Sequence, residues 1–472
     1  MKSSPPQTLI EDMERIVGKK YVSAHIFERI KNSLDTFPYE AERDTLPYVV
    51  VMPGSREEVS EIMRYANDSK VPVFIRGSGT SFIGAARYRV PGIVLNTHRL
   101  SAIELSEDYG YFECGPGCIC ASVEEALKKR GFFLPAAPGS RLIASMGGII
   151  SNNTSAHIVD TSIGKPGDYV LGVEAVLPTG EIIETGTKGL RRPAGTDLTK
   201  FFVGGDGLLG VVTKIRMRLV PQFERACGVA VYKGLGSVAR AVQRMYMERR
   251  PAPFFMEFME EKVAQIGYDL KGLQPPGGAV VLFVTNADSK EEAARKADQI
   301  LLSLEAEHPV EAQRIEDAVL WEKLWSAREV IGSFLMQQSG NQWASAEVVS
   351  NLKDLPECLN EAANFNKGLP VLSQLTSYLF GHIGGLTMHP GVIIPKDWDN
   401  GKKRKAIDEK FQREEELNLK YGTCGGEWGQ FSKRTSFFVN RYGEKGYGLV
   451  KTLKKAFDPN NILNTGVLEG CQ

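Results

Sequence analysis

Apolar positions recur three and four apart over Leu9–Val17 and again over Ser23–Ser33, the period of short helices with one buried face. Tyr48–Met52 is instead a continuous apolar run closed by Pro53-Gly54, which predicts a buried strand. Ser55 precedes a second helical pattern, Arg56–Ala66. Its hydroxyl can cap the helix, and Glu57 and Glu58 in the first turn favour the helix start. Val71–Ile75 is the next strand, so strand, helix and strand make one small α/β unit. Strands at Ile93–Asn96, Ala102–Leu105 and Tyr111–Cys114, with a helix at Ser122–Arg130, make another. Leu171–Leu177 and Glu181–Glu184 flank Pro178-Thr179-Gly180 as a hairpin. Beyond Pro221 the rhythm lengthens. Helical patterns (Val238–Arg249, Lys290–Glu305, Glu316–Ile331, Lys402–Lys420) alternate with strands (Phe254–Phe258, Ala279–Val284, Ser377–His382), which suits an antiparallel sheet with helices on one side. The class expected is α+β.

Three glycine-dense polar stretches interrupt this pattern. The first, Arg76-Gly77-Ser78-Gly79-Thr80-Ser81, closes at Gly84. The second runs from Pro138-Gly139-Ser140 through Gly147-Gly148 to Asn152, and the third from Gly204 through Gly210, followed by a strand-like run from Val211. Glycine lets backbone approach an anion without a Cβ in the way, and closely spaced N–H groups can cradle phosphate. One such loop reads equally well as an ordinary turn; three at strand ends point to a bound cofactor. The first is not the dinucleotide fingerprint, because position 82 is Phe82 and no long helix follows.

Composition removes several classes. A chain of 472 residues has room for two or three domains, and its 57 basic and 57 acidic residues cancel, which leaves no electrostatic case for nucleic acid. No apolar run is long enough to span a bilayer, and Met1–Leu9 lacks a signal pattern, so membrane contact is expected to be at most peripheral. Seven scattered cysteines suggest reduced thiols in a cytoplasmic protein, and Cys118-Ile119-Cys120 is too close for a zinc knuckle.

Tyr48–Val51, Pro53, Ser55, Glu58, Val59 and the Arg76 loop together resemble the FAD-binding domain of the vanillyl-alcohol oxidase/p-cresol methylhydroxylase (PCMH) superfamily. Pro135–Asn153, Gly167–Gly180, Val203–Pro221 and the closing AFDPNNILNTG are similar to its D-2-hydroxyacid dehydrogenase branch. That branch includes the glycolate oxidase large subunit and the D-lactate and D-2-hydroxyglutarate dehydrogenases. The resemblance implies a two-subdomain, PCMH-type FAD-binding domain over residues 1–221. It also implies a substrate-holding cap with antiparallel sheet and helices over 222–420, and a segment 421–472 that returns to the first domain. FAD contacts would come from Arg76, Gly77, Ser78, Gly79, Thr80, Ser81, Gly84, Pro138, Gly139, Ser140, Gly147, Gly148, Asn152, Gly210, Val211 and Val212. Superfamily members with a histidyl flavin link carry histidine in the first loop. Thr80 and Ser81 follow Gly79 here, so non-covalent FAD is expected. The family's usual glycine pair after the asparagine is replaced by Thr154-Ser155.

In the cap, His382 and His389 stand seven apart, and Glu427 lies in Gly425-Gly426-Glu427-Trp428-Gly429. Two imidazoles and a carboxylate suit zinc or manganese with open positions. On spacing alone, two satisfied polar histidines and a solvated glutamate are the plainer reading; the resemblance matches all three to the family's metal ligands. Two departures stand out. The family's Asp-Gly-Asn between the histidines is Gly385-Leu386-Thr387, and its histidine after the glutamate, the proposed proton acceptor, is Trp428, whose indole has no basic nitrogen. Arg328 is similar to the family's arginine that clamps the substrate carboxylate, and reads equally as a surface helix residue. The implied activity is an FAD-dependent dehydrogenase that oxidises a hydroxyl-bearing carbon of a 2-hydroxy acid. Electrons would leave to an iron–sulfur subunit or an electron-transfer flavoprotein, since the chain has no cluster motif. Two other readings stay open: a redox-neutral transferase like the ether-lipid synthase of the superfamily, and a FAD relay subunit without substrate chemistry, for which Trp428 speaks. A homodimer is among the assemblies allowed.

Overall fold

In the computed structural model, Ser55 accepts from the Glu58 N–H at 3.2 Å and opens the helix Arg56–Ser69. The structure describes residues 6–36, 45–85, 87–136, 138–154, 164–190, 195–338, 343–422, 425, 429 and 434–468. These fall into two units, the first built from Met1–Thr154, Lys165–Gln222 and Glu427–Gln472, the second from Ser155–Gly164 and Phe223–Gly426.

In the first unit, Val59, Ile62, Met63 and Ala66 line one face of the Arg56–Ser69 helix, as their three- and four-residue spacing requires. That face packs on a four-stranded sheet ordered Val22–Ser23, Val49–Val51, Ile93–Asn96, Val73–Arg76, whose last three strands are parallel. Leu9, Met13 and Val17 of the helix Gln7–Val17 close the same core, together with Ile462 and Leu463 near the other end of the chain. A second, five-stranded antiparallel sheet follows, ordered Ile103–Ser106, Tyr111–Cys114, Val211–Arg218, Val170–Val176, Ile182–Glu184.

The second unit is organised on an eight-stranded sheet. Its central strands, Glu224–Tyr232, Ala279–Ala287, Phe255–Met259 and Ser377–His382, are all antiparallel to their neighbours. Helices cover both faces of this sheet, not one as expected. Val263, Ala264 and Tyr268 of the helix Glu261–Lys271, with Leu324, Ala327 and Ile331 of Ala318–Gln338, pack against Val229, Val231, Val280 and Leu282. On the opposite face the Tyr232 hydroxyl donates to Leu304 O at 2.8 Å, and Thr285 Oγ1 donates to Ala293 O at 2.7 Å, both on the helix Lys290–Glu305. The physical reason is legible in the strands: Ala279–Ala287 and Phe255–Met259 are apolar almost throughout, without the alternation that a half-solvated sheet needs.

Candidate active site

The three glycine stretches meet in the first unit. Val73–Arg76 runs out into the first loop, where the Arg76 guanidinium turns back and donates to Asn32 O at 3.0 Å. A Cβ on Gly79, whose φ is +69°, would lie 2.3 Å from Arg76 Nη2, so glycine is needed here and Arg76 braces the loop from beneath. A Cβ on Gly77 would lie 2.2 Å from Ser145 Oγ, which presses this loop onto the second stretch. The Thr36 hydroxyl donates to the Ser81 carbonyl at 2.5 Å, and Ser81 Oγ accepts from the N–H groups of Ile83 and Ala85.

In the second stretch, Arg141 N donates to Pro138 O and Ala144 N to Ser140 O, each at 2.8 Å, making a tight double turn. Met146 N and Gly147 N, at the start of the helix Met146–Asn152, are bonded to the carbonyls of Cys118 and Pro116. Gly148, by contrast, is exposed, and a Cβ there would meet only Ser145 Oγ at 3.5 Å. The third stretch is tied to the second by Gly204 N to Ile150 O at 3.0 Å and Asp206 N to Ser151 O at 2.9 Å. Asn464 donates to Gly207 O at 2.9 Å and accepts from Ile75 N at 3.2 Å, which joins the third stretch back to the first.

The remaining expected contacts lie less open. Gly84 and Pro138 are buried, Gly139 is exposed, and the Asn152 amide donates to Thr154 Oγ1 at 2.7 Å. Gly210 packs against Phe202 and Val176 O, and Val211 and Val212 are buried inside a strand. The backbone N–H groups of Gly77, Ser78, Gly79 and Thr80 have no acceptor among the described residues. A half-open row of such donors beside an open Gly148 is what a pyrophosphate-bearing cofactor requires. Sequence reasoning missed Thr36, Ser145 and Asn464, the residues that clip the three stretches together.

A buried polar cluster lies in the second unit. The strands Ser377–His382 and Thr387–Ile393 form a hairpin in which His382 pairs with Thr387 and Phe380 with His389. The two imidazoles come face to edge, with centroids 5.0 Å apart and planes at 80°. His382 Nδ1 lies 2.6 Å from Glu257 Oε1, on the neighbouring strand Phe255–Met259. Glu257 Oε2 lies 2.7 Å from Arg328 Nη2, and the Arg328 guanidinium sits 4.7 Å from the Phe380 ring centroid. His389 Nδ1 faces Ala346 O at 3.2 Å.

Arg328 is therefore buried, at 4% exposure, and is not a surface helix residue. Its Nε–H has no partner among the described residues. A carboxylate held by a guanidinium and a peptide carbonyl both only accept, so each histidine carries a proton on Nδ1, and in the neutral ring its lone pair is on Nε2. Imidazoles bound this way through the other ring nitrogen are oriented as metal ligands usually are. Glu427 and Trp428 lie outside the described residues. Among the described residues no group of three or more His, Cys, Asp or Glu side chains is placed to hold a metal ion. Glu257 was also missed. Its signal is a lone carboxylate inside the apolar run Phe254-Phe255-Met256-Glu257-Phe258, since a buried charge demands a partner.

Residues 47–186 match the FAD binding domain family, and residues 222–468 match the C-terminal domain of the FAD linked oxidases. The chain is 30% identical over 450 residues to the glycolate oxidase subunit GlcD of Bacillus subtilis, spanning 93% of this chain and 92% of that one. It is 28% identical over 441 residues to D-lactate dehydrogenase of Archaeoglobus fulgidus, spanning 92% and 94%. Among solved structures, 4-ethylphenol oxidase from Gulosibacter chungangensis superposes with a TM-score of 0.79 at 16% identity, over 99% of this chain and 98% of that one. p-Cresol methylhydroxylase superposes at 0.78 with 13% identity, over 98% and 96%. These two show the fold, that of the PCMH-type flavoproteins. The chain belongs to the FAD-linked oxidases, and its activity is that of an FAD-linked oxidoreductase. Among the described residues no helix is long and apolar enough to cross a membrane.

Proposed function

We propose that the chain dehydrogenates the hydroxyl-bearing carbon of a 2-hydroxy acid. The observation that carries this reading is Arg328, a buried guanidinium whose Nε–H has no partner among the described residues, set one carboxylate away from a pair of imidazoles bonded through Nδ1. An acid group answers the first and an oxygen-bound metal the second. The names of the relatives in Bacillus subtilis and Archaeoglobus fulgidus point to the same substrate class.

Gly77, Ser78, Gly79, Thr80 and Gly148 would hold the FAD phosphates through backbone N–H groups. FAD, when bound, supplies a hydride acceptor. His382, His389 and Glu427 would hold zinc or manganese, which lowers the pKa of a bound hydroxyl. Arg328 would orient the substrate through its carboxylate. Trp428 stands where the family has a histidine and cannot take a proton, so it would act as a flat apolar wall that favours an aryl or alkyl substituent over a small acid. Electrons would then pass to an iron–sulfur subunit or an electron-transfer flavoprotein.

The test is anaerobic mixing of the yellow protein with D- and L-2-hydroxy acids of graded size. Loss of the flavin colour with a D-2-hydroxy acid bearing an aryl or alkyl group is expected; no bleaching by any member of the series would overturn the reading. Trp428→His is expected to shift preference toward D-lactate and glycolate. Rapid bleaching of the wild type by either would show that the missing histidine is dispensable.

A further inference from the structure

Glu257 is fully buried and touches both functional groups of the second unit at once. One oxygen meets His382 Nδ1 at 2.6 Å and the other meets Arg328 Nη2 at 2.7 Å. We infer that Glu257 is the positioning residue of this site, a single carboxylate that fixes the tautomer of His382 and the orientation of Arg328 together. The inference rests on the proposed reading of those two residues, yet its first test does not depend on any metal or substrate.

The chemistry of the three side chains leaves one arrangement. A guanidinium has donors only, and its Nη2 stands 2.7 Å from Oε2 as an ion pair. The carboxylate it pairs with is acceptor-only, so Oε1 must accept from His382 Nδ1–H, and the neutral ring then has its lone pair on Nε2. An interior of this kind has few mobile dipoles to replace a lost partner, and a buried charge stripped of its counter-charge is strongly unfavourable. Helix Ala318–Gln338 and strand Phe255–Met259 belong to the core that also contains Leu324, Ala327 and Met259, which keeps Glu257 and Arg328 on fixed supports.

Glu257→Gln keeps the size and changes the logic. The amide oxygen must still face Arg328, because the amide N–H₂ cannot. The N–H₂ then points at His382 Nδ1, which has to become the acceptor, and the proton moves to Nε2. A ligand with hydrogen on Nε2 cannot coordinate through that atom. The direct readout is the two-bond ¹⁵N–¹H spectrum of the imidazoles in chelated protein, with His382 assigned by its loss in His382→Asn. Wild type is expected to show the Nδ1–H pattern and Glu257→Gln the Nε2–H pattern. The second readout is Zn²⁺ binding by equilibrium dialysis, expected to weaken about 10- to 100-fold in Glu257→Gln and to be largely kept in Glu257→Asp.

An unchanged His382 pattern in Glu257→Gln overturns the inference. If that variant does not yield folded protein, the wild-type spectrum decides: Nε2–H on His382 overturns the inference, and Nδ1–H upholds it. Zinc that fails to bind wild type removes the metal reading of the proposed function while the tautomer result still stands or falls by itself.

Discussion

Arg328 and Glu257 neutralise each other out of contact with water, so the two removals are unequal in their effects. Arg328→Ala strands a buried carboxylate and is expected to cost about 3–5 kcal/mol in a denaturant titration. Glu257→Gln combined with Arg328→Gln removes both charges and is expected to recover most of that loss. A double variant as unstable as Arg328→Ala would show that packing, and not the stranded charge, sets the cost. Buried thiols give a second residue-scale outcome. Burial pushes Cys120 and Cys358 up to about 12, which leaves roughly one thiolate in ten thousand near pH 8. Iodoacetamide at that pH is expected to leave both unmodified until the chain is unfolded, as peptide mass spectrometry would show; labelling in the native state would mean that these segments open. At this scale the sequence carried His382, His389 and Arg328 through their motif context. Glu257 went unread because no local pattern links it to residues more than seventy and a hundred positions away; only strand pairing and helix packing join them.

Elements were read best where cap, period and terminator agree. Arg56–Ser69 shows all three, with Ser55 at its start and Lys70 closing it in the left-handed region at φ 54°. Ser55→Ala is expected to cost about 1 kcal/mol through loss of the capped Glu58 N–H. Lys70→Gly has the opposite sign. The side chain is exposed and its backbone conformation suits glycine, so roughly 0.5–1 kcal/mol of stabilisation is expected in the same titration, and a loss would show that the Lys70 side chain makes a contact that matters. Where signals conflict, the sequence is a poorer guide. The helix Thr435–Phe457 carries Gly443, Gly446 and Gly448 within it, and Gly443 departs from helical geometry at φ 72°, so its period is broken in the sequence. The helix Lys290–Glu305 is plain in the sequence, but its place on a second face of the larger sheet is not, because an all-apolar strand does not say which side a given helix covers.

At the scale of the molecule, the chemistry is divided between two units that each close their own core: glycine-rich stretches clipped by Asn464 and Ser145 in one, and a His–Glu–Arg cluster in the other. The first unit is expected to hold its flavin without a covalent bond. Its first loop offers Thr80 and Ser81 after Gly79, and neither hydroxyl has the nucleophilic nitrogen that a histidyl link uses. Acid precipitation is accordingly expected to release the yellow colour into the supernatant, and colour retained in the pellet would sink the claim. Reversible binding carries a thermodynamic corollary. A ligand that binds only the folded state stabilises it by an amount set by its concentration, about 2.7 kcal/mol when free FAD stands at a hundred times its Kd. Protein stripped of flavin should therefore unfold at a lower temperature and recover on adding FAD, with a midpoint that keeps rising logarithmically as FAD is added in excess. A midpoint indifferent to free FAD, in protein that has kept its colour through the acid step, would point to a covalent link formed by a residue outside the first loop.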